Sequence, residues 1–202
     1  MNDPLPRDIP VLASEATSSM TRPFIKLRIR HAEIGDVPTI AEIHVRAWQT
    51  AYRGIMADAF LDSLTPEQRI PTWTRFLEDP ECRITVLVAV DTVTATVLGF
   101  CSVGPRRDDA TTTTATDGEL YTLYVDPEHR GDRIGTTLIA VGESTLREAG
   151  FTSAILWMLK DNAPSRAFYE RRGWDADGGT RTQRYGDLDV AECRLAKSLL
   201  NA

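Results

Sequence analysis

Long apolar runs are missing from this 202-residue sequence. The longest are strand-sized, against the roughly 20 residues that a membrane-spanning helix needs, so no membrane association is expected. An excess of basic charge is missing as well. Acidic residues outnumber basic ones, 29 against 23, for a formal net charge of −6 at pH 7. That balance argues against a nucleic-acid partner held through phosphate contacts. Cysteine is scarce: Cys82, Cys101 and Cys193 are odd in number and have no CxxC spacing. They read as free thiols in a reducing compartment. His31, His44 and His129 share no ligand spacing with one another or with the cysteines, so no metal site is expected. There is no Walker lysine, no GxGxxG and no GxSxG, which leaves NTP loops, dinucleotide folds and serine acyl-enzymes without support. The opening stretch has acidic and proline residues where a signal peptide has basic and then apolar ones. The expected location is cytoplasmic.

What is present reads as one mixed α/β domain. Residues 1–24 carry Pro4, Pro6, Pro10 and Pro23 without helical or strand periodicity, and are expected to be a disordered tail ahead of a domain spanning 25–202. Lys26 to Arg30 alternates as a short strand. Asp36 is placed to cap a helix with Pro38 in its first turn, whose buried face is Ile40, Ile43, Ala47 and Ala51. A short helix is expected over Ala57 to Leu64, and Thr65-Pro66-Glu67-Gln68 is a capping box opening a third with Trp73, Phe76 and Leu77 inward. Strands follow over Arg83 to Val90 and Val97 to Val103, then an exposed polar loop from Gly104 to Gly118. The remainder reads as a strand from Glu119 to Val125, a helix from Ile134 to Ala149, a strand from Ser153 to Leu159, a helix from Ala163 to Arg172 and a last strand near Val190 to Leu195.

Two segments carry chemistry. In the first, ELYTLYVDPEHRGDRIGTTL, a strand turns into a helix, with Gly131 and Gly135 bracketing the turn. Amides in a first helical turn lack intrahelical partners and sit at the positive end of the dipole, a setting suited to a phosphate beside Arg130 and Arg133. The same turn also reads as a plain strand-to-helix connection. In the second, NAPSRAFYERRGW, Ser165 and Tyr169 are four apart and share a helical face. Tyr169 then either offers its hydroxyl to a cleft or is a core aromatic. The Arg171-Arg172 pair reads as a solvated helix end.

Together these segments resemble the GNAT superfamily of N-acetyltransferases. Leu123-Tyr124-Val125 followed by Arg130-Gly131-Asp132-Arg133-Ile134-Gly135 is similar to its coenzyme A motif, (Gln/Arg)-x-x-Gly-x-(Gly/Ala). Asn162-x-x-Ser165-x-x-Phe168-Tyr169-x-x-x-Gly173-Trp174 is similar to its downstream motif. The run HVRAWQTAYRG, His44 to Gly54, looks like the family's first helix. Two departures stand out. Arg133 fills the first glycine slot, which is costly if that slot needs a positive φ; the milder reading keeps only Gly131 and Gly135 bare. Ser165 replaces the usual alanine.

The resemblance implies a largely antiparallel mixed sheet with helices on both faces, and acetyl-CoA as acyl donor. It implies binding where two parallel strands splay, with the pantetheine arm along Leu123, Tyr124 and Val125. The pyrophosphate would lie on Arg130, Gly131, Asp132, Arg133, Ile134, Gly135 and Thr136, with Asn162, Ser165 and Tyr169 completing the site. A primary amine, of a small molecule or a protein N-terminus, would attack the thioester directly. A main-chain N–H near Val125 would face the oxyanion. Glu119 is the candidate base, directly or through water, unless it only fixes the preceding loop. Tyr169 is the candidate acid for the departing thiolate. Trp48 and Tyr52, in a row with His44, wall the acceptor or pack the core, and His44 is a second, weaker base candidate. The resemblance also allows a homodimer. A rival reading is a CoA-binding sensor without catalysis, and another is a phosphate-binding module without acyl chemistry.

Overall fold

Residues 25–107, 117–186 and 188–200 are described in the computed structural model. The expected tail, residues 1–24, and the centre of the threonine-rich loop, residues 108–116, lie outside them. The described residues form seven strands: β1 (Leu27–His31), β2 (Thr85–Asp91), β3 (Thr96–Pro105), β4 (Asp117–Val125), β5 (Ser153–Leu159), β6 (Asp175–Tyr185) and β7 (Leu188–Ser198). Five α-helices accompany them: α1 (Val37–Ala51), α2 (Asp58–Asp62), α3 (Ile70–Glu78), α4 (Ile134–Glu148) and α5 (Ala163–Glu170). The strands make one sheet in the order β1-β2-β3-β4-β5-β7-β6. Every neighbouring pair is antiparallel except β4 and β5, which run parallel. No helix among the described residues is long and apolar enough to cross a membrane.

The near-continuous apolar runs of β2 and β3 follow from burial on both faces. Leu87, Ala89, Cys101 and Val103 point to one side and pack with Leu138 and Leu146 of α4. Val86, Val88 and Phe100 point to the other and pack with Ile40 and Ile43 of α1 and Trp73 of α3. A third cluster, Val45, Trp48, Met56, Leu61 and Leu159, seals the α1–α2 corner.

Two local features depart from expectation. Asp36 makes no side-chain cap on α1. Its carboxylate instead takes the Arg30 guanidinium at 2.6 and 2.9 Å and the Glu33 N–H at 2.8 Å, because a charged fork outcompetes a lone amide. The Thr65–Gln68 box is real, but it opens a 3-10 turn (Pro66–Gln68) that precedes α3.

The sheet is interrupted where it matters most. Ser102 pairs with Thr122 and Val103 with Leu120, which leaves Tyr121 as an extra residue in β4. A bulge of this kind bends its strand. The β4–β5 ladder runs from Asp117–Ser153 to Leu120–Leu156 and stops there, although β4 continues to Val125 and β5 to Leu159. Beyond Leu120 the two strands therefore diverge as a wedge.

Candidate active site

The wedge opens into a cavity of about 530 Å³. Its walls are β4 from Leu120 to Val125, the end of β5, the first turn of α4, most of one face of α5 and the last turn of α1. From Thr122 to Val125, β4 pairs with β3 on one side and, among the described residues, with no strand on the other. The main-chain groups of that free edge are open to an extended ligand, which would bind them as an added strand does.

The turn from β4 into α4 forms one mouth of the cavity. Gly131 has φ +94° and Arg133 φ +59°, so both sit in the left-handed region. The glycine slot held by Arg133 does impose a positive φ, contrary to the milder reading, and the chain bears the strain of a Cβ there. Among the described residues no side chain caps α4, so its first-turn amides are unpaired within the helix. Arg130 and Gly135 line the cavity. A Cβ at Gly135 would meet Phe168 and Val125 at 3.5 Å, an ordinary contact, so packing within the protein does not require a glycine there. Its bareness widens the cavity instead. Other motif residues face elsewhere. The Ile134 side chain is in the core. Asp132 lies 3.4 Å from His129. The Thr136 hydroxyl accepts from Arg172.

On α5, Asn162 is a buried cap whose Oδ1 accepts from the Ser165 N–H at 3.2 Å while the residue also lines the cavity. Ser165, Phe168, Tyr169 and Arg171 line it too. Burial, and next the Tyr124 phenol, raise the Tyr169 hydroxyl well above the ordinary tyrosine range. It therefore keeps its proton at neutral pH. The two arginines after it do not form a plain solvated end. Arg171 lines the cavity. Arg172 lies 3.7 Å over the Phe168 ring and donates to the Phe168 carbonyl at 2.7 Å, tying α5 to α4 through Thr136.

On the opposite wall the sequence expectations separate. Tyr52, Leu123, Tyr124 and Val125 line the cavity, whereas Glu119, His44 and Trp48 do not. Glu119 is 3% exposed and accepts from the backbone and guanidinium of Arg107. Arg107 also lies 3.8 Å over the ring of Tyr121, which does line the cavity. His44 stacks on Tyr124 at 5.0 Å between centroids. Burial, and then the nearby Arg69 charge, push the His44 imidazole down to about 3. It is neutral throughout the physiological range and too weak a base to take a proton from an ammonium. Trp48 donates its indole N–H to the Tyr124 hydroxyl at 2.8 Å, which makes it a support for the wall.

Sequence reading missed Thr50, Tyr121, Thr122 and Trp157, all of which line the cavity. Alternation along β5 does not single out Trp157, since Leu156 and Met158 of the opposite face line the cavity too. Tyr121 was hidden because its direction depends on the bulge.

Comparison with known proteins agrees with this geometry. The profile of the Acetyltransferase (GNAT) family matches residues 39–174. A protein of Bacillus subtilis (strain 168) named as an uncharacterized N-acetyltransferase, YuaI, is 34% identical over 143 residues, covering 70% of this chain and 76% of that protein. A spermidine N(1)-acetyltransferase of Thermoplasma acidophilum is 24% identical over 160 residues, covering 76% and 93%. Among solved structures, the PaiA N-acetyltransferase of Thermoplasma acidophilum, in complex with coenzyme A, has a TM-score of 0.63 at 22% identity, covering 85% of this chain and 98% of that one. At that identity the likeness concerns the fold.

Proposed function

Given that this chain belongs to the GNAT family of acetyltransferases, we propose that it transfers the acetyl group of acetyl-CoA to a primary amine, on a small molecule or a protein N-terminus, by direct attack on the thioester. The observation that carries this reading is the wedge past Leu120 and Leu156, where a free strand edge, an uncapped helix start and a protonated tyrosine border one cavity.

The residues present fit the donor. The unpaired edge from Thr122 to Val125 suits an amide-bearing arm, and the first-turn amides of α4 with Arg130 suit a diphosphate. Acetyl-CoA supplies an acyl carbon already activated by a thiol leaving group. The chain supplies position and protons. A main-chain N–H near Val125 faces the carbonyl oxygen and stabilises the negative charge it develops. Tyr169 holds a proton for the departing sulfur, and burial keeps that proton in place. Glu119 stands behind the cavity wall, so its share of removing the ammonium proton runs through water.

The test is release of free thiol from acetyl-CoA in the presence of a panel of primary amines, with longer acyl donors run beside it. Acetylation of at least one amine supports the proposal. Donor binding with no thiol release from any amine contradicts it and favours a silent CoA-binding module.

A further inference from the structure

Two hydrogen-bond donors around the Trp48 indole have no acceptor among the described residues. The first is His44. Trp73 Nε1–H lies 3.3 Å from His44 Nδ1, and an indole nitrogen only donates, so Nδ1 accepts and the neutral ring carries its proton on Nε2. His44 is 9% exposed, and its Nε2 is buried without a partner. The second is Arg69. Its guanidinium carbon is 5.2 Å from the Trp48 ring centroid, its Nε is buried without a partner, and no carboxylate among the described residues pairs with it. Between them stands Tyr124, whose hydroxyl oxygen accepts from Trp48 Nε1 at 2.8 Å.

These groups come from α1, the start of α3 and β4, and the rings bind them into one patch. His44 and Trp48 are 5.5 Å apart between centroids, and Tyr185 of β6 closes on Trp48 at 5.2 Å. One carboxylate, Glu192, acts on Tyr124 electrostatically, but both its oxygens are engaged, by Arg181 at 2.7 Å and by the Tyr185 hydroxyl at 2.7 Å. Buried donors left unmade are costly, and a half-buried guanidinium without a counter-charge more so. A cluster of donors around a cation is complementary to an anion.

We infer that this patch is an anion subsite for the acceptor, so that the amine to be acetylated also carries a carboxylate, received by Arg69 and His44 Nε2–H. The inference rests on the reading that the acceptor enters the wedge, whose wall residues Tyr124 and Tyr52 back onto the patch, Tyr124 against His44 at 5.0 Å and Tyr52 against Trp48 at 5.2 Å between centroids. It selects amino acids and similar amino-carboxylates over polyamines, whose second cation would meet Arg69.

The test is a sodium acetate titration of the full chain carrying ¹⁵N-histidine, followed by NMR against sodium chloride at equal ionic strength. A saturable shift of the His44 Nε2–H signal, weakened roughly 10-fold or more in Arg69→Gln, is expected. Absence of a saturable shift in the unsubstituted protein overturns the subsite whether or not the variant folds, and so does a shift unchanged in Arg69→Gln. Kinetics separate the two readings. Amino acids are compared with the amines left when their carboxylate is removed, phenylalanine with phenethylamine and ornithine with putrescine. A kcat/KM ratio favouring the amino acid that falls to near unity in Arg69→Gln supports the subsite. Acetylation of both members at equal rate overturns the subsite and leaves the transferase standing. An acetate shift without acetylation of any amine does the reverse.

Discussion

Glu119 and Arg107 are joined twice. The backbone N–H of Arg107 reaches Glu119 Oε2 at 3.0 Å, and its guanidinium reaches Oε1 at 3.2 Å. With Arg106 and Asp117 paired at 3.2 Å beside them, the two strand ends that carry the polar loop are clasped together. In the proposed mechanism this carboxylate would take the ammonium proton through water, and its removal also loosens the clasp.

Glu119→Gln is therefore expected to lower kcat/KM about 100-fold near neutral pH. The deficit narrows as pH approaches the pKa of the acceptor, where the amine is already neutral and needs no base. A pH–rate series on both proteins checks this, and a deficit constant across pH assigns Glu119 to loop anchoring alone.

Tyr169→Phe removes a donor without changing the shape of the cavity. The expected outcome is a fall in kcat of about 100-fold with donor affinity nearly unchanged. Because burial raises the Tyr169 phenol above its ordinary value, the unsubstituted enzyme keeps its acid form through pH 10, and kcat shows no descending limb there from this group. Full turnover in the variant removes Tyr169 from the mechanism.

Arg133 sits at φ +59° in the turn before α4. Replacing it by glycine relieves a left-handed non-glycine residue, and Arg133→Gly is expected to stabilise the fold by about 1 kcal/mol. For a chain of this size that is a rise in Tm of roughly 2–4 °C. Calorimetry or urea unfolding reads it, and a fall in stability refutes the strain.

His44 links stability to pH. Its folded pKa is depressed to about 3 from an unfolded value of 6.5, so the unfolded chain binds the proton more readily between those limits. The contribution is fully present above pH 6.5 and is lost as pH falls towards 3, with a slope approaching about 1.4 kcal/mol per pH unit. Urea unfolding between pH 4.5 and 7 is expected to show a flatter slope in His44→Gln. Identical slopes refute the buried neutral ring.

The legible parts of this molecule are those in which neighbouring residues do the work. The strand Ser153–Leu159 and the starts of α4 and α5 fall where alternation, glycines and Asn162 indicated, because a cap or a period is a local property. The strand β6 was invisible. Asp175 to Tyr185 is charged, glycine-containing and mostly exposed, and as an edge strand it pairs with β7 only; its inward positions are polar, Arg181 and Tyr185 reaching Glu192, so its hydrophobicity does not alternate. The family motif falls at the wedge, yet of its turn residues 130–136 only Arg130 and Gly135 line the cavity, because one helical turn cannot aim every side chain inward. Arg69, Tyr124 and Tyr185 meet from distant elements around Trp48, and no spacing along the chain announces that meeting.

Titration calorimetry of the full chain with acetyl-CoA, set beside ATP and NADH, tests the wedge most directly. One acetyl-CoA is expected to bind per chain, with affinity reduced when Gly135 is replaced by valine, and neither of the other nucleotides is expected to match it. Tight binding of ATP or NADH with no heat from acetyl-CoA would contradict the assignment of the wedge to an acyl donor.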